Sequence, residues 1–377
     1  MGRSAGSSWP SRGGLIRIRP CVGLFVAAVC GAPALFAQAD AQAAPEAPPP
    51  AESAGPRLTL RGFTNVDLAV NEDRLPQTFS LGQFDLFVTS ALSENWSFLA
   101  EVNFEFGDDN ALAVDVERAQ LRYAPWDAFT ISAGRMHTPL GYWNQTFHHG
   151  SWFQTTAGRP EMYLFEDEGG ILPVHEVGVQ AAGTLHGRAV AFKYSVGVVN
   201  GRGRIPDEVT NLQDRNDGKA VSLLLALAPV AVKGLEVGVD AYLDRIPADP
   251  DVPGREGEIR ERILGAYLTL LRSDTELLAE VSHVHHRDEV RGGEFDTWGL
   301  YAQGSRKIGH WRPYYRFDKV DVADGDPFLS PKDLSRHTVG LRFDPMPWVG
   351  IKGEYHLTRV RGDDEAHSAR FQAAFTF

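Results

Sequence analysis

Residues 96–106 read WSFLAEVNFEF. Trp96, Phe98, Ala100, Val102, Phe104 and Phe106 alternate with Ser97, Leu99, Glu101, Asn103 and Glu105. Successive side chains of a β-strand point to opposite faces, so residues of one parity share a face. This segment has one oily side and one largely polar side carrying two carboxylates. The same period recurs outward in both directions. In 58–70, Leu58, Leu60, Val66, Leu68 and Val70 are apolar, while Thr59, Arg61, Asn65 and Asp67 are not. In SARFQAAFTF (368–377), Ala369, Phe371, Ala373, Phe375 and Phe377 share the apolar parity.

Counting such segments predicts sixteen strands: 57–70, 78–90, 95–107, 112–124, 128–136, 173–185, 189–200, 218–228, 234–245, 258–271, 275–286, 294–305, 310–319, 334–344, 347–360 and 366–377. Those at 78–90 and 258–271 alternate imperfectly, and fourteen or eighteen strands stay open as counts. Short connections (LSEN, APWDA, LHGR, PVAVK, RSDT, KIGH, DPMP) take turns with longer acidic, Gly- and Pro-rich ones. Short turns at one end and long loops at the other describe a transmembrane antiparallel β-barrel. Trp96, Trp126, Trp311 and Trp348 lie at or beside the short turns, with Tyr123 and Phe377, where an interfacial girdle belongs. A soluble barrel would have to bury Glu101, Asn103, Glu105, Arg118, Gln120 and Arg122, whereas a water-filled lumen accommodates them.

Composition is compatible with this reading but does not decide it: 377 residues, 43% hydrophobic, with a net charge of −12. The acidic balance argues against a nucleic-acid partner, since phosphate rewards a basic surface. Residues 1–44 read as an export signal, with Arg12, Arg17 and Arg19 before an apolar run and cleavage expected between 37 and 44. Both cysteines, Cys21 and Cys30, fall within it, which leaves no thiol for a disulfide or a Cys-based metal site. A lipid anchor at Cys30 is disfavoured by Val29, which is not the small residue expected there. Residues 45–56 are an Ala/Pro-rich linker, and the barrel is expected over 57–377. Beyond the signal no apolar run reaches the roughly 18 residues of a transmembrane helix, so membrane passage must use strands.

The connection 136–173, third on the long-loop end, is by far the longest, and loops of that size are usually functional. It is entered through SAGRMHTPLG (132–141), which is similar to the Gly-Lys-x-x-x-Pro-Phe-Gly element of the phosphate-selective porin O and P family, with Arg135 for the Lys and Leu140 for the Phe. With the export signal, about sixteen alternating strands, the long third loop and Phe377, the chain resembles the general-diffusion and substrate-selective porins of Gram-negative outer membranes. The family's lysine runs are absent, so phosphate selectivity does not carry over. The resemblance implies a third loop folded into the lumen.

Inward parity assigns Arg61, Arg312, Arg316, Arg336, Arg342, Lys352 and Arg370 to one stretch of inner wall, with Arg118 and Arg122 further round. The loop supplies Glu161, Glu166, Asp167 and Glu168. A basic wall facing an acidic loop would set a transverse field and screen ions by sign, with a lean toward anions. A pair of charges 4 Å apart is worth about 1 kcal/mol in water and about 4 at an effective dielectric of 20, which suits passage rather than capture.

Other constellations carry less. His283 and His285 share outward parity while His286 faces inward, and with His148 and His149 they read as surface histidines rather than metal ligands. Asp321, Asp324 and Asp326 lack the spacing of a calcium loop. Arg361-Gly362-Asp363 reads as a turn, and no GxSxG elbow, phosphate loop or zinc helix appears. The expectation is therefore an outer-membrane porin passing small hydrophilic solutes or ions, neither enzyme nor cofactor-dependent, in contact with lipid and lipopolysaccharide. Trimer formation is left open. The competing readings are a plugged structural or adhesion barrel and, behind it, a barrel enzyme.

Overall fold

The computed structural model describes residues 56–71, 79–106, 111–148, 150–208, 212–213 and 215–377. The expected signal, its two cysteines and nearly all of the linker lie outside the described residues. Sixteen strands form one closed antiparallel barrel in which each pairs with its sequence neighbours and β1 pairs with β16. They are β1 (Arg57–Val70), β2 (Phe79–Ala91), β3 (Trp96–Phe106), β4 (Leu112–Trp126), β5 (Phe129–His137), β6 (His175–His186), β7 (Val190–Val199), β8 (Ala220–Pro229), β9 (Leu235–Ile246), β10 (Ile259–Leu271), β11 (Thr275–Asp288), β12 (Glu294–Arg306), β13 (Trp311–Asp321), β14 (Asp333–Met346), β15 (Val349–Val360) and β16 (Ala366–Thr376). Closure satisfies every edge, which spanning strands require because lipid offers no hydrogen bonds. The seam runs from Phe63 opposite Thr376 to Val70 opposite Ala369. It is extended by Phe377 N–H to the Gly62 carbonyl (2.9 Å) and Gly62 N–H to the Phe377 carbonyl (3.0 Å).

Alternation sorts the side chains as expected. Phe98, Leu121, Val196, Leu341 and Phe375, one parity sampled round the barrel, are all exposed. Their neighbours of the other parity include the buried Glu101, Ser195 and Thr338. Trp96, Trp126, Trp311 and Trp348 are exposed at the short-turn end. Among the described residues no helix is long and apolar enough to cross a membrane.

The inward face is not uniformly wet. Tyr242, Ile246, Ile259, Ile263, Val284, Tyr301 and Val320 form a packed cluster with Leu140, Trp143, Met162, Tyr163, Ile171 and Leu172 of the long connection. This explains the poor alternation of β10, whose inward Ile259 and Ile263 and outward Leu264 and Leu268 are all apolar. The register also slips between Glu101 and Val102 of β3. Arg118 pairs with Glu101 and Val116 with Val102, leaving Glu117 as the extra residue of a β-bulge.

Candidate functional site

The long connection carries one helical turn, α1 (Trp143–Thr146), and two 3-10 turns, Glu161–Tyr163 and Glu166–Glu168. A segment with so little regular structure leaves backbone N–H and C=O groups that need partners once covered. The inward side chains of the wall supply them, acids to the N–H groups and bases to the carbonyls.

The Glu280 carboxylate accepts from Tyr142 N–H (2.8 Å), Trp143 N–H (2.8 Å), the Tyr163 hydroxyl (2.8 Å) and the Tyr301 hydroxyl (2.5 Å). Asp240 accepts from Gly141 N–H (3.1 Å), Glu354 from Ala157 N–H (2.7 Å) and Asp318 from Glu161 N–H (3.1 Å). In the other sense, Arg316 donates to the carbonyls of Gly158 (2.8 Å) and Arg159 (2.9 Å) and to the Thr156 hydroxyl (3.0 Å). Arg342 reaches the carbonyls of Trp152 (2.9 Å) and Gln154 (2.7 Å). Lys352 reaches those of Ser151 and of Thr156 (2.8 Å). Hydrogen bonds to a charged group contribute about 1.5–3 kcal/mol each, so the loop is held as firmly as a core element.

Gly141 begins this docking. Its φ of +66° lies in the left-handed region. A Cβ there would stand 1.7 Å from the Tyr163 hydroxyl and 2.1 Å from Glu280. Both the turn and the close approach demand glycine, a physical reason for the Pro139-Leu140-Gly141 element.

These contacts correct part of the expected charge map. Arg316 and Lys352 are each only 1% exposed and fasten the loop, so they are enclosed against it instead of open to the lumen. Arg336 touches Glu161 directly and Lys332 lies 2.9 Å from it, so opposite charges cancel at contact instead of facing each other across water. Burial alone would raise the Glu161 carboxyl, but Arg336 and Lys332 outweigh it and hold it at about 2. For Glu166, burial pushes the carboxyl up to about 7 against the pull of Arg202 and Arg159. Asp167 and Glu168 are exposed.

The remaining bases divide. Arg342 also pairs with Asp344 (2.7 Å), Arg312 donates to Ser305 (3.0 Å), and Arg370 is half-buried against Gly158. Arg118 pairs with Glu101 and lies 5.5 Å from the Phe87 ring. Arg61 and Arg122 are exposed. Arg122 borders both a cavity of about 480 Å³, shared with Arg57, Thr59, Ser97 and Gln120, and one of about 310 Å³, shared with Asp127, Thr130 and His186. Both lie at the short-turn end of β1–β6.

Two histidine readings are refined. His283 and His285 share Asp296 at 2.8 and 2.9 Å near the surface. His286, by contrast, is fully buried, with Glu261 and Asp326 each 2.9 Å away. Asp326 also accepts from Phe328 and Leu329 N–H (both 2.8 Å), so it organises its own turn. His149 lies outside the described residues. The wall acids Asp240, Glu280, Asp318 and Glu354 were not singled out in the sequence. Their inward parity was legible there, but the atoms they hold lie roughly 100–200 residues away in the chain.

Comparison with solved structures shows the fold. The anion-selective porin of Comamonas acidovorans superposes with a TM-score of 0.61 at 11% identity, covering 85% of this chain and all of that one. The outer membrane channel DcaP of Acinetobacter baumannii gives 0.57 at 10%, covering 86% and 98%. The in-vitro folded trimer form of OmpT, an outer membrane protein of Vibrio cholerae, gives 0.58 at 13%, covering 86% and 100%. No protein-family model and no curated protein matches the sequence. The chain has the sixteen-stranded porin fold.

Proposed function

We propose that this porin fold serves as an outer-membrane pore through which small hydrophilic solutes diffuse passively, narrowed by the long third connection lying inside the barrel. The observation that carries the reading is the set of bonds from inward side chains of β9, β11, β13, β14 and β15 to loop atoms between Gly141 and Glu161. With these grips on one arc, and with Ser151 bonding Asn65 of β1 (3.0 Å) and His148 facing Glu117 of β4, the free cross-section in this reading lies toward the short-turn end of β1–β4. There Arg57, Arg61 and Arg122 are exposed, which supports a lean toward anions. The outward apolar parity faces lipid, with lipopolysaccharide in the outer leaflet. A homotrimer, the form of one structure it resembles, is the assembly to look for.

Single-channel recording in a planar bilayer tests this: discrete open steps support the pore, and a reversal potential on the anion side supports the arginine arc. A second reading, a barrel plugged by its loop, is favoured by the apolar cluster joining loop and wall. Bilayers that stay silent while the protein is folded and inserted would select it.

A further inference from the structure

Three histidines far apart in sequence converge where the long connection leaves β5 and enters β6. His137 and His175 are direct cross-strand partners. His148, just after α1, stacks on His137 with ring centroids 3.9 Å apart and meets His175 edge-on at 4.5 Å. One ring nitrogen from each can be chosen so that all three lie within 4.8 Å of one another. The Glu117 carboxylate stands 2.6 Å from His175 Nε2 and 4.0 Å from His148 Nε2. All four side chains are nearly enclosed.

Two features of the surroundings are those of a prepared ligand set. The β4 bulge inserts Glu117 as an extra residue beside the histidines, while its neighbour Arg118 pairs with Glu101. Asn144 ties the trio together. Its side-chain oxygen lies 2.8 Å from His148 Nδ1, so that nitrogen donates to it and Nε2 is the nitrogen turned toward Glu117. Its amide donates to the carbonyls of Thr138 (2.9 Å) and Val174 (3.0 Å), the residues adjoining His137 and His175. A ligating imidazole oriented through its second nitrogen is the usual outer-shell arrangement of a metal site.

We propose that His137, His148, His175 and Glu117 bind a first-row divalent transition cation, with zinc as the reference ion, and that the bound ion fastens the base of the long connection to β4–β6. Three imidazoles and a carboxylate suit Zn²⁺, Co²⁺, Ni²⁺ or Cu²⁺, whereas Ca²⁺ and Mg²⁺ prefer all-oxygen sites. Metal–nitrogen bonds of about 2.0–2.1 Å need donors closer together than 4.8 Å, a gap that small side-chain rotations close.

The test uses the purified, chelator-treated barrel, titrated with Zn²⁺ by calorimetry and with Co²⁺ by visible absorption. The expected result is one ion per chain, with the intense absorption of low-coordinate Co²⁺. His148→Ala should weaken binding at least about tenfold, as loss of even an outer-shell partner can. His148→Gln, which keeps the bulk, should do the same, with heat-modifiable gel migration confirming that both variants fold. His283→Ala with His285→Ala should leave affinity unchanged. Absence of saturable Zn²⁺ binding by the unmodified protein would overturn the proposal. So would binding that survives both His148 variants or is lost in the His283/His285 variant.

Discussion

Replacing Glu161 by Gln tests whether the long connection is held by charge. Glu161 is 3% exposed, touches Arg336, lies 2.9 Å from Lys332 and donates its own N–H to Asp318. Its carboxyl falls from the ordinary 4.5 to about 2. At 1.36 kcal/mol per pH unit this corresponds to about 3 kcal/mol in favour of the docked state. Because the docked value is depressed, that stabilisation is complete above about pH 4.5 and is lost as pH falls toward 2. Glutamine removes it where the carboxylate is ionised, shifting the docked-to-undocked ratio by roughly a few hundredfold at pH 7. Single-channel recordings of Glu161→Gln at pH 7 should show added open-channel noise, with faster proteinase K cleavage between 141 and 170. The unmodified protein brought to pH 3 should begin to behave the same way. A variant indistinguishable from the parent at pH 7 in step size, noise and proteolysis would refute the argument.

Arg122→Glu should move the reversal potential toward cations without disturbing folding, because that guanidinium is exposed beside both cavities; an unchanged potential would remove it from the conducting path. Arg316→Glu should instead release the loop and increase channel noise, since it places an acid against the carbonyls of Gly158 and Arg159; a clean selectivity change with normal noise would contradict the anchoring role. Gly141→Ala should lower the thermal midpoint and loosen the loop, as its Cβ would overlap Tyr163 and Glu280; unaltered melting and proteolysis would show that the contact can yield. Leu264→Arg, on the exposed parity of β10, should cost about 2–4 kcal/mol if it meets the bilayer midplane, measured by denaturant titration in lipid vesicles; a cost near zero would mean that this face is not in hydrocarbon.

Strand number and extent were legible because alternation is a local property, and each observed strand begins and ends within about two residues of its expected place. The bulge at Glu117 was not legible, since one inserted residue leaves too few positions on either side to reveal a change of parity. The inner wall was legible as a list of bases but not in their employment. Whether Arg316 meets water or the Gly158 carbonyl depends on where a segment some 160 residues away comes to rest. The histidine trio was missed for the same reason. Positions 137, 148 and 175 follow no helical or strand period, and only the pairing of β5 with β6 and the turn after α1 bring them together.

The tip of the long connection rests on the seam. Gln372 of β16 hydrogen-bonds Asp67 of β1 (2.9 Å) and the Ala157 carbonyl (3.3 Å), and it also accepts from Lys352 (2.9 Å). First stave, last stave and tip thus meet at a single glutamine. A ring closed with two staves too few or too many would present the tip with the wrong side chains and leave its carbonyls dry and unanswered. The connection therefore doubles as a gauge of circumference, rewarding closure at the correct count and leaving miscounted rings as the less stable products of assembly.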